Sequence, residues 1–374
     1  MNIRHLIIML PALLCASLTL SAQSTQRFSA GKSNEYGLSY SLPVTVFEVT
    51  VAAERTEATP GEFRLYARKY LNLDPILEPS VRWTLTGADV VPAARQSADD
   101  DESRYLVQFK SGSTPFMMLT PEGFPVTVND ADFNPAPAAA SKLAAVAPQP
   151  TILESPAARQ AVTEEMLRSH SVAKRAELAA ARIYEIRQTR SDILSGQADA
   201  MPADGAAMKL VLDNLEQQEA ALTAMFTGTL KKSTEVASFT VTPPSADAPG
   251  RYVVARLSAL NGIVDPDDLT GAPIFIDFSD ITSPTLPVNE KGQPKSFPKN
   301  GLAYRIPGTA TVTLTYDGRT LDRLARAEVA QYGVVFGLDP SLFTDKKAPS
   351  YVRFNPLTGA VTELDLIRKP TADN

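Results

Sequence analysis

The clearest periodic pattern lies in the middle of the chain, between Ala157 and Thr229. Apolar residues recur there at spacings of three, four and seven, which places them along one face of an α-helix. The first set comprises Val172, Ala176, Ala179, Ile183, Ile186 and Ile193. Gly196 follows the last of them, and glycine readily takes the left-handed conformation that ends many helices. We therefore predict an amphipathic helix that ends near Leu194.

A second apolar stripe follows after a short aperiodic segment. It comprises Met208, Val211, Leu215, Leu222 and Met225. Asp204 is the predicted N-cap, and Gly228 ends the pattern. Two amphipathic helices joined by a short loop bury their apolar faces most simply by packing antiparallel on each other. The sequence thus predicts an antiparallel helical hairpin within residues 157–232. Because the seam of the first helix is thin, we expect the pair to lean also on a β-domain or on a second copy of itself, which would make a homo-oligomer through the hairpin.

Both flanking regions show the period-two alternation of β-strands. Tyr36–Val51 is rich in β-branched and aromatic residues, and its apolar phase flips between Val46 and Phe47, which predicts a bulge there. Ala310–Tyr316 alternates apolar residues with threonines, the pattern of a strand with one solvent-facing side. Pro121-Glu122-Gly123 is a predicted hairpin turn between two short strands.

Two short helices are predicted inside these β-rich regions. Thr59 is placed to cap a first turn, with Pro60 at the first helical position and Glu62 at the third, and this helix ends near Asn72. The second predicted helix spans Leu321–Tyr332.

These patterns divide the chain into five segments and predict an α+β fold. The segments are a signal peptide (1–22), an N-terminal β-rich domain with one short helix (23–134), a Pro/Ala-rich linker (135–156), the helical hairpin (157–232) and a C-terminal β-rich domain (233–374). GLSYSLP at residues 37–43 is echoed by GLAYRIP at residues 301–307. We therefore expect two mainly antiparallel β-domains, β-sandwiches related by duplication, that flank the hairpin.

The amino-terminal segment has the features of a secretory signal peptide. A short basic start with Arg4 precedes an apolar run from Leu6 to Leu20, and small residues follow up to Ala22. The only cysteine, Cys15, lies inside this segment, so the mature chain would contain no disulfide, thiol nucleophile or cysteine-bound metal. We expect export by the secretory pathway, with no transmembrane segment after processing.

Charge and residue usage restrict the chemistry further. The 374 residues include 42 acidic and 36 basic side chains, a balance that argues against a nucleic-acid partner. His170 would be the only histidine left after processing, and we expect it on the surface. Asp265, Asp267 and Asp268 could offer oxygens to calcium, although their spacing fits a polar turn better. Trp83, the only tryptophan, is expected in the core. The sequence assigns no catalytic, cofactor-binding or metal-binding residue, and we expect no cofactor.

Several of these motifs together resemble a known family. YGLSYSLP, TPGEF, the helical segment from RIYEIRQTRSDILSG to ALTAMFTG and the closing VRFNPLTG are similar to secreted proteins of Gram-negative Bacteroidota, catalogued as a domain of unknown function, number forty-eight thirty-one. The resemblance covers nearly the whole mature chain and implies a location in the periplasm or at the outer surface of a Gram-negative bacterium. It implies no activity, cofactor or site residue.

Three functional hypotheses remain open. The scarcity of histidine and cysteine favours a non-enzymatic envelope protein that binds or assembles with a protein partner. The alternative is a secreted hydrolase that uses carboxylates or a Ser-Lys pair. A calcium-stabilised adhesion module is the third.

Overall fold

The structure, a computed structural model, describes residues 23–27, 37–97, 103–109, 116–198, 205–344 and 349–367. Its strands are β1 Gln23–Arg27, β2 Leu38–Ser41, β3 Val44–Thr59, β4 Ser80–Arg95, β5 Arg104–Phe109, β6 Met117–Leu119, β7 Pro125–Val128, β8 Thr229–Val241, β9 Gly250–Ser258, β10 Gly262–Val264, β11 Ala272–Thr282, β12 Leu302–Tyr316, β13 Arg319–Leu338, β14 Ser350–Asn355 and β15 Ala360–Leu366. Its α-helices are α1 Ala67–Leu71, α2 Pro156–Ala161, α3 Glu164–Arg168, α4 Val172–Ser195, α5 Ala206–Thr227 and α6 Ser341–Thr344. The strand pairs are antiparallel, so the predicted α+β class is confirmed. The signal segment 1–22 lies outside the described residues.

The largest core lies between two sheets, of strand order β4-β3-β8 and β10-β9-β11-β12-β13. Phe47 and Val49 of the first sheet share one buried cluster with Ile276 and Val312 of the second. The strand predicted at Ala310–Tyr316 is confirmed, and its apolar residues alternate into this cluster. The solvent-facing side predicted for its threonines is wrong at Thr311, which is only 5% exposed.

A second core brings together the two smaller sheets, of order β15-β14-β7-β6 and β1-β5-β2. Tyr40 and Val107 meet Val352 and Phe354 there, together with Leu302 at the start of β12. Since β12 and β13 contribute side chains to both clusters, these long strands connect the two cores.

Two sheets combine strands from both sides of the helices. β8 pairs with β3 from Thr229↔Thr59 to Val241↔Phe47, and β14 pairs with β7 at Val352↔Val128. The predicted domains 23–134 and 233–374 therefore share hydrogen-bonded sheets, and strand pairing marks no boundary between them. Their duplication stays a prediction.

The two long predicted helices are present as α4 and α5. Gly196 caps α4 with φ 72°, as the glycine rule predicts, and the α4 stripe is buried apart from Val172, which is 42% exposed. Ile183 and Leu222 join Phe63 and Phe226 in a third buried cluster, the helical core.

The N-cap of α5 is Gly205, whereas the predicted cap Asp204 lies outside the described residues. The buried side chains of α5 lie in its second half, and Leu210 in the first half is 71% exposed. The apolar stripe of α5 is thus covered most completely towards its carboxyl end, and Leu215 is partly buried against the helical core.

The helix predicted to start at Thr59 is wrong at its beginning. Thr59 is the last residue of β3, Arg64–Tyr66 forms a 3₁₀ turn, and α1 follows without a side-chain cap. The reason is α5: the Phe63 amide donates to the Met225 carbonyl at 2.7 Å, so a partner remote in sequence replaces the predicted cap. The helix does end at Asn72, which takes a left-handed conformation with φ 55°.

The bulge predicted between Val46 and Phe47 is also wrong. The β3–β4 register runs unbroken from Val44 to Ala52 and shifts only between Ala52 and Ala53. Thr45, Val46 and Phe47 are all buried, so β3 is covered on both faces at this end. Two-sided burial, not a change of register, produces the phase flip.

Leu321–Tyr332 forms part of β13 and not the predicted helix. β13 pairs with β12 along its length, and the Asp317-Gly318 turn joins them with φ 48° and 71°. Two consecutive residues with positive φ are typical of a type I′ hairpin turn, and an Asp-Gly pair in the sequence favours such a turn over a helix.

Residues 134–150 run extended over the protein, as their proline content predicts. Val146 forms a β-bridge with Thr234, and the Ser141 hydroxyl donates to the Asp89 carboxylate at 2.8 Å. The linker is therefore held against the β4-β3-β8 sheet.

Candidate binding surface

The β14–β15 hairpin is the element around which three clefts lie. Its turn is built locally: Asn355 accepts from the Leu357 amide through its side chain and from the Gly359 amide through its carbonyl, at 3.0 and 2.7 Å. Gly359 has φ 73°, and a Cβ there would lie 3.2 Å from Leu42 and Pro43. The turn thus needs glycine to fit against the β2–β3 junction.

The first cleft, of about 320 Å³, separates this turn from the β4-β3-β8 and β10-β9-β11-β12-β13 sheets, which together we call the main sandwich. It is lined by Thr45, Pro92, Leu324, Ala325, Arg326, Ala327, Glu328, Asn355, Leu357 and Thr358. The Glu328 carboxylate accepts from the Asn355 amide at 3.3 Å and from the Thr358 hydroxyl at 3.4 Å. One carboxylate therefore holds the turn at this end of the surface.

The second cleft, of about 300 Å³, lies on the other side of the turn, beneath the start of the linker. Its walls are Phe133, Pro135, Ala136, Pro137, Ala138, Ala139, Phe354, Asn355, Pro356, Leu357 and Thr362. Asn355 and Leu357 line both clefts, so the turn is a wall common to the two, and we call the two clefts together the turn groove. Most of its walls are apolar.

The third cleft, of about 410 Å³, adjoins the hairpin around Arg353. The Arg353 guanidinium pairs with Asp130 at 2.8 Å and Glu363 at 2.6 Å, and it lies 4.7 Å from the centre of the Phe133 ring. Its hydrogen bond to Asp130 is the main reason that the Arg353 pKa lies above its usual value. The Tyr351 hydroxyl donates to Glu363 at 2.5 Å, which raises the pKa of Tyr351.

The surface combines apolar walls with charged groups. A carboxylate lies at one end and an arginine over the Phe133 ring at the other, and aromatic rings and arginines are enriched in protein interfaces. The Asp130 and Glu363 carboxylates converge on the Arg353 guanidinium, and Asp130 and Arg353 both line the third cleft. Within the described ranges, no three His, Cys, Asp or Glu side chains form a metal-binding group.

The residues singled out from the sequence lie elsewhere. His170 is exposed, as expected. Asp265, Asp267 and Asp268 lie on the turn between β10 and β11, where the Asp268 carboxylate accepts from the Thr270 amide at 2.9 Å and hydroxyl at 2.6 Å. These bonds lower the pKa of Asp268. Its carboxylate therefore closes its own turn.

Trp83 is only half-buried and lines a further cleft, so the expectation of a core tryptophan is wrong. No pattern in the sequence indicated that Glu328, Arg353 and Asp130 belong to the candidate surface. Asn355–Gly359 carried a turn signal, but the Arg353–Asp130 pair joins residues 223 positions apart and leaves no local pattern.

Comparison with known proteins places the chain in a family. The model of a domain of unknown function, DUF4831, matches residues 36–362, which include every element of the turn groove. The chain belongs to the DUF4831 family. No curated protein and no solved structure matches it significantly. Among the helices that the structure describes in this DUF4831 protein, none is both long and apolar enough to span a membrane.

Proposed function

We propose that this DUF4831 protein is a non-enzymatic binding module, exported to the periplasm or outer surface of a Gram-negative bacterium, which holds an envelope protein partner at the turn groove. The observation that carries the proposal is the pair of mainly apolar clefts, one beside Phe133 and one beside Glu328, that share the β14–β15 turn as a wall. Apolar walls would supply contact area to the partner, and the charged groups at the ends would fix its orientation.

The groove suits an extended segment of the partner better than a bulky domain. It runs between two fixed walls, since Glu328 holds the turn on one side and Arg353 holds the start of the linker on the other. Walls that are already ordered need little reorganisation when a partner binds. The helices would support this surface from a distance, with α4 and α5 as an antiparallel hairpin tied by Arg187 and Arg190 to Glu219 at 2.7 and 2.6 Å.

Capture with matched variants tests the binding role. The mature protein with Leu357→Asp carries a charge into the turn groove, whereas Leu269→Asp changes a side chain that is 80% exposed on the β10–β11 turn. We expect one envelope protein to be recovered in stoichiometric amount with the wild type and with Leu269→Asp, and to be lost with Leu357→Asp. Circular dichroism checks that both variants fold. Equal capture by all three proteins, or capture of nothing, would refute the proposal.

Export is tested separately by cell fractionation and amino-terminal sequencing of the expressed full chain. We expect the protein in the envelope fraction, beginning after Ala22. An unprocessed chain in the cytoplasm would contradict export while leaving the turn groove to be judged by the capture experiment.

A further inference from the structure

The cleft around Trp83 has a different chemistry from the turn groove, and the two come nearest on β13, where Leu321 of the cleft and Leu324 of the groove are three residues, about 10 Å, apart. It measures about 310 Å³ and is lined by Trp83, Thr84, Leu85, Leu257, Tyr316, Asp317, Arg319 and Leu321. Trp83 and Pro92, which lines the turn groove, belong to the same strand β4, and nine residues of strand separate them by about 30 Å. We propose that this cleft is a binding site for a small saccharide of one or two rings.

The indole ring is held rigidly at the cleft. Its Nε1 donates to the Leu260 carbonyl at 3.1 Å, and Gly262 lies so close that a Cβ there would be 2.9 Å from the ring. Because its N–H is already bonded, the ring can offer the cleft only its apolar surface. A fixed aromatic surface is suited to stacking against the C–H face of a sugar ring, since no side-chain freedom is lost on binding.

Polar side chains stand beside the ring with bonding capacity unused. Within the part of the chain that the structure describes, the Tyr316 hydroxyl, the Asp317 carboxylate and the Arg319 guanidinium make no hydrogen bond or ion pair with another residue. Asp317 and Arg319 flank Gly318 in the tight β12–β13 turn, which fixes their backbone positions. Burial raises the pKa of Tyr316, and its hydroxyl can both donate and accept a hydrogen bond.

These groups together select the ligand class. Sugar hydroxyls both donate and accept, and the cleft offers a carboxylate that accepts, a guanidinium that donates and a hydroxyl that does both. One acid beside one base gives no net positive charge for a phosphate, and three polar groups would be left unpaired by a purely apolar ligand. The volume is at the small end of the range of about 300–1,000 Å³ for ligand sites, which fits one or two rings.

Trp83 is the only tryptophan of the protein, so its fluorescence reports on this cleft alone. The full mature chain is titrated with glucose, galactose, N-acetylglucosamine, maltose and cellobiose, and with the open-chain polyol sorbitol as control. We expect a saturable change in emission, and protection from acrylamide quenching, with at least one of the cyclic sugars and none with sorbitol. Calorimetry of the same titration provides a second measurement.

Variants that keep the reporter decide the assignment. We expect Tyr316→Phe or Arg319→Ala to weaken binding about tenfold, the effect of losing one good hydrogen bond of about 1.4 kcal/mol. Arg159→Ala, at an exposed position of α2, serves as the control and should bind as the wild type does. Absence of a saturable response to every sugar, an equal response to sorbitol, or affinities unchanged in both cleft variants would overturn the proposal.

Discussion

Replacing Phe226 with alanine tests how strongly the helical core stabilises the whole protein. Phe226 lies on α5 with 0% of its surface exposed, and its ring centre is 5.3 Å from that of Phe63 at an angle of 57°. A Phe→Ala change in a core costs about 3–5 kcal/mol, and an aromatic pair contributes about 0.5–1.5 kcal/mol of such a loss. Against a typical total stability of about 5–15 kcal/mol, the expected loss is large.

The assay follows two parts of the molecule in one urea titration. Far-ultraviolet circular dichroism reports mainly on the helices, and Trp83 fluorescence reports on the sandwich. We expect both transitions to move together, because Thr229 begins β8 directly after α5 and pairs with Thr59 in β3. Leu210→Ala on the same helix is the control, since its 71% exposed side chain should change stability by no more than about 0.5 kcal/mol.

A double-mutant cycle with Phe63→Ala isolates the ring pair, and we expect a coupling of about 0.5–1.5 kcal/mol. The reasoning would be refuted by a loss below about 1 kcal/mol for Phe226→Ala. It would also be refuted if the fluorescence transition stayed in place while the helical signal moved, because the helices would then unfold independently of the sandwich.

Three further substitutions test individual contacts. Gly61→Ala places a Cβ 2.3 Å from the Met225 carbonyl oxygen, so we expect a loss of about 1–3 kcal/mol in thermal unfolding, and an unchanged melting temperature would contradict it. Gln331→Ala removes the amide that bonds both the N–H and the C=O of Thr45, at 2.9 and 2.7 Å, and should cost about 1–3 kcal/mol in urea, whereas a smaller loss would mean that water replaces the amide. Burial raises the pKa of Tyr332 to about 12 from an ordinary 10. Between these pH values the unfolded chain binds fewer protons than the folded chain. The free energy of unfolding therefore falls as the pH rises from 10 to about 12. Tyr332→Phe should remove that part of the alkaline loss. It should also raise the free energy of unfolding near pH 7 by about 1 kcal/mol, because the hydroxyl is buried without a partner among the described residues. An alkaline unfolding curve identical to that of the wild type would disprove the assignment.

Features that depend on neighbouring residues were predictable from the sequence. The end of α4 at Gly196 follows from the conformational freedom of one glycine, and the burial of Ile183 follows from helical periodicity. The β6–β7 hairpin across Gly123 was also predictable, because a turn with φ 87° needs that residue.

Features that depend on distant residues were not predictable. The Phe63 amide bonds to the Met225 carbonyl and not to a cap at Thr59. Residues Leu321–Tyr332 pair with β12 as a strand and do not form the expected helix. Intrinsic propensity is a weak preference that tertiary pairing overrides. The same distance hid the candidate surface, because Arg353 and Asp130 belong to different parts of the chain.

The mixed origin of two sheets has a consequence for the nascent polypeptide. Synthesis proceeds from the amino end, so β3 is made long before its pairing partner β8, and β7 long before its partner β14 at Ser350–Asn355. Until then their open edges invite pairing with other chains, and contacts so remote in sequence form slowly. A fragment truncated before residue 350 should therefore aggregate. A holdase chaperone that prevents contacts between nascent chains until the β14–β15 hairpin has been synthesised would raise the yield of native protein.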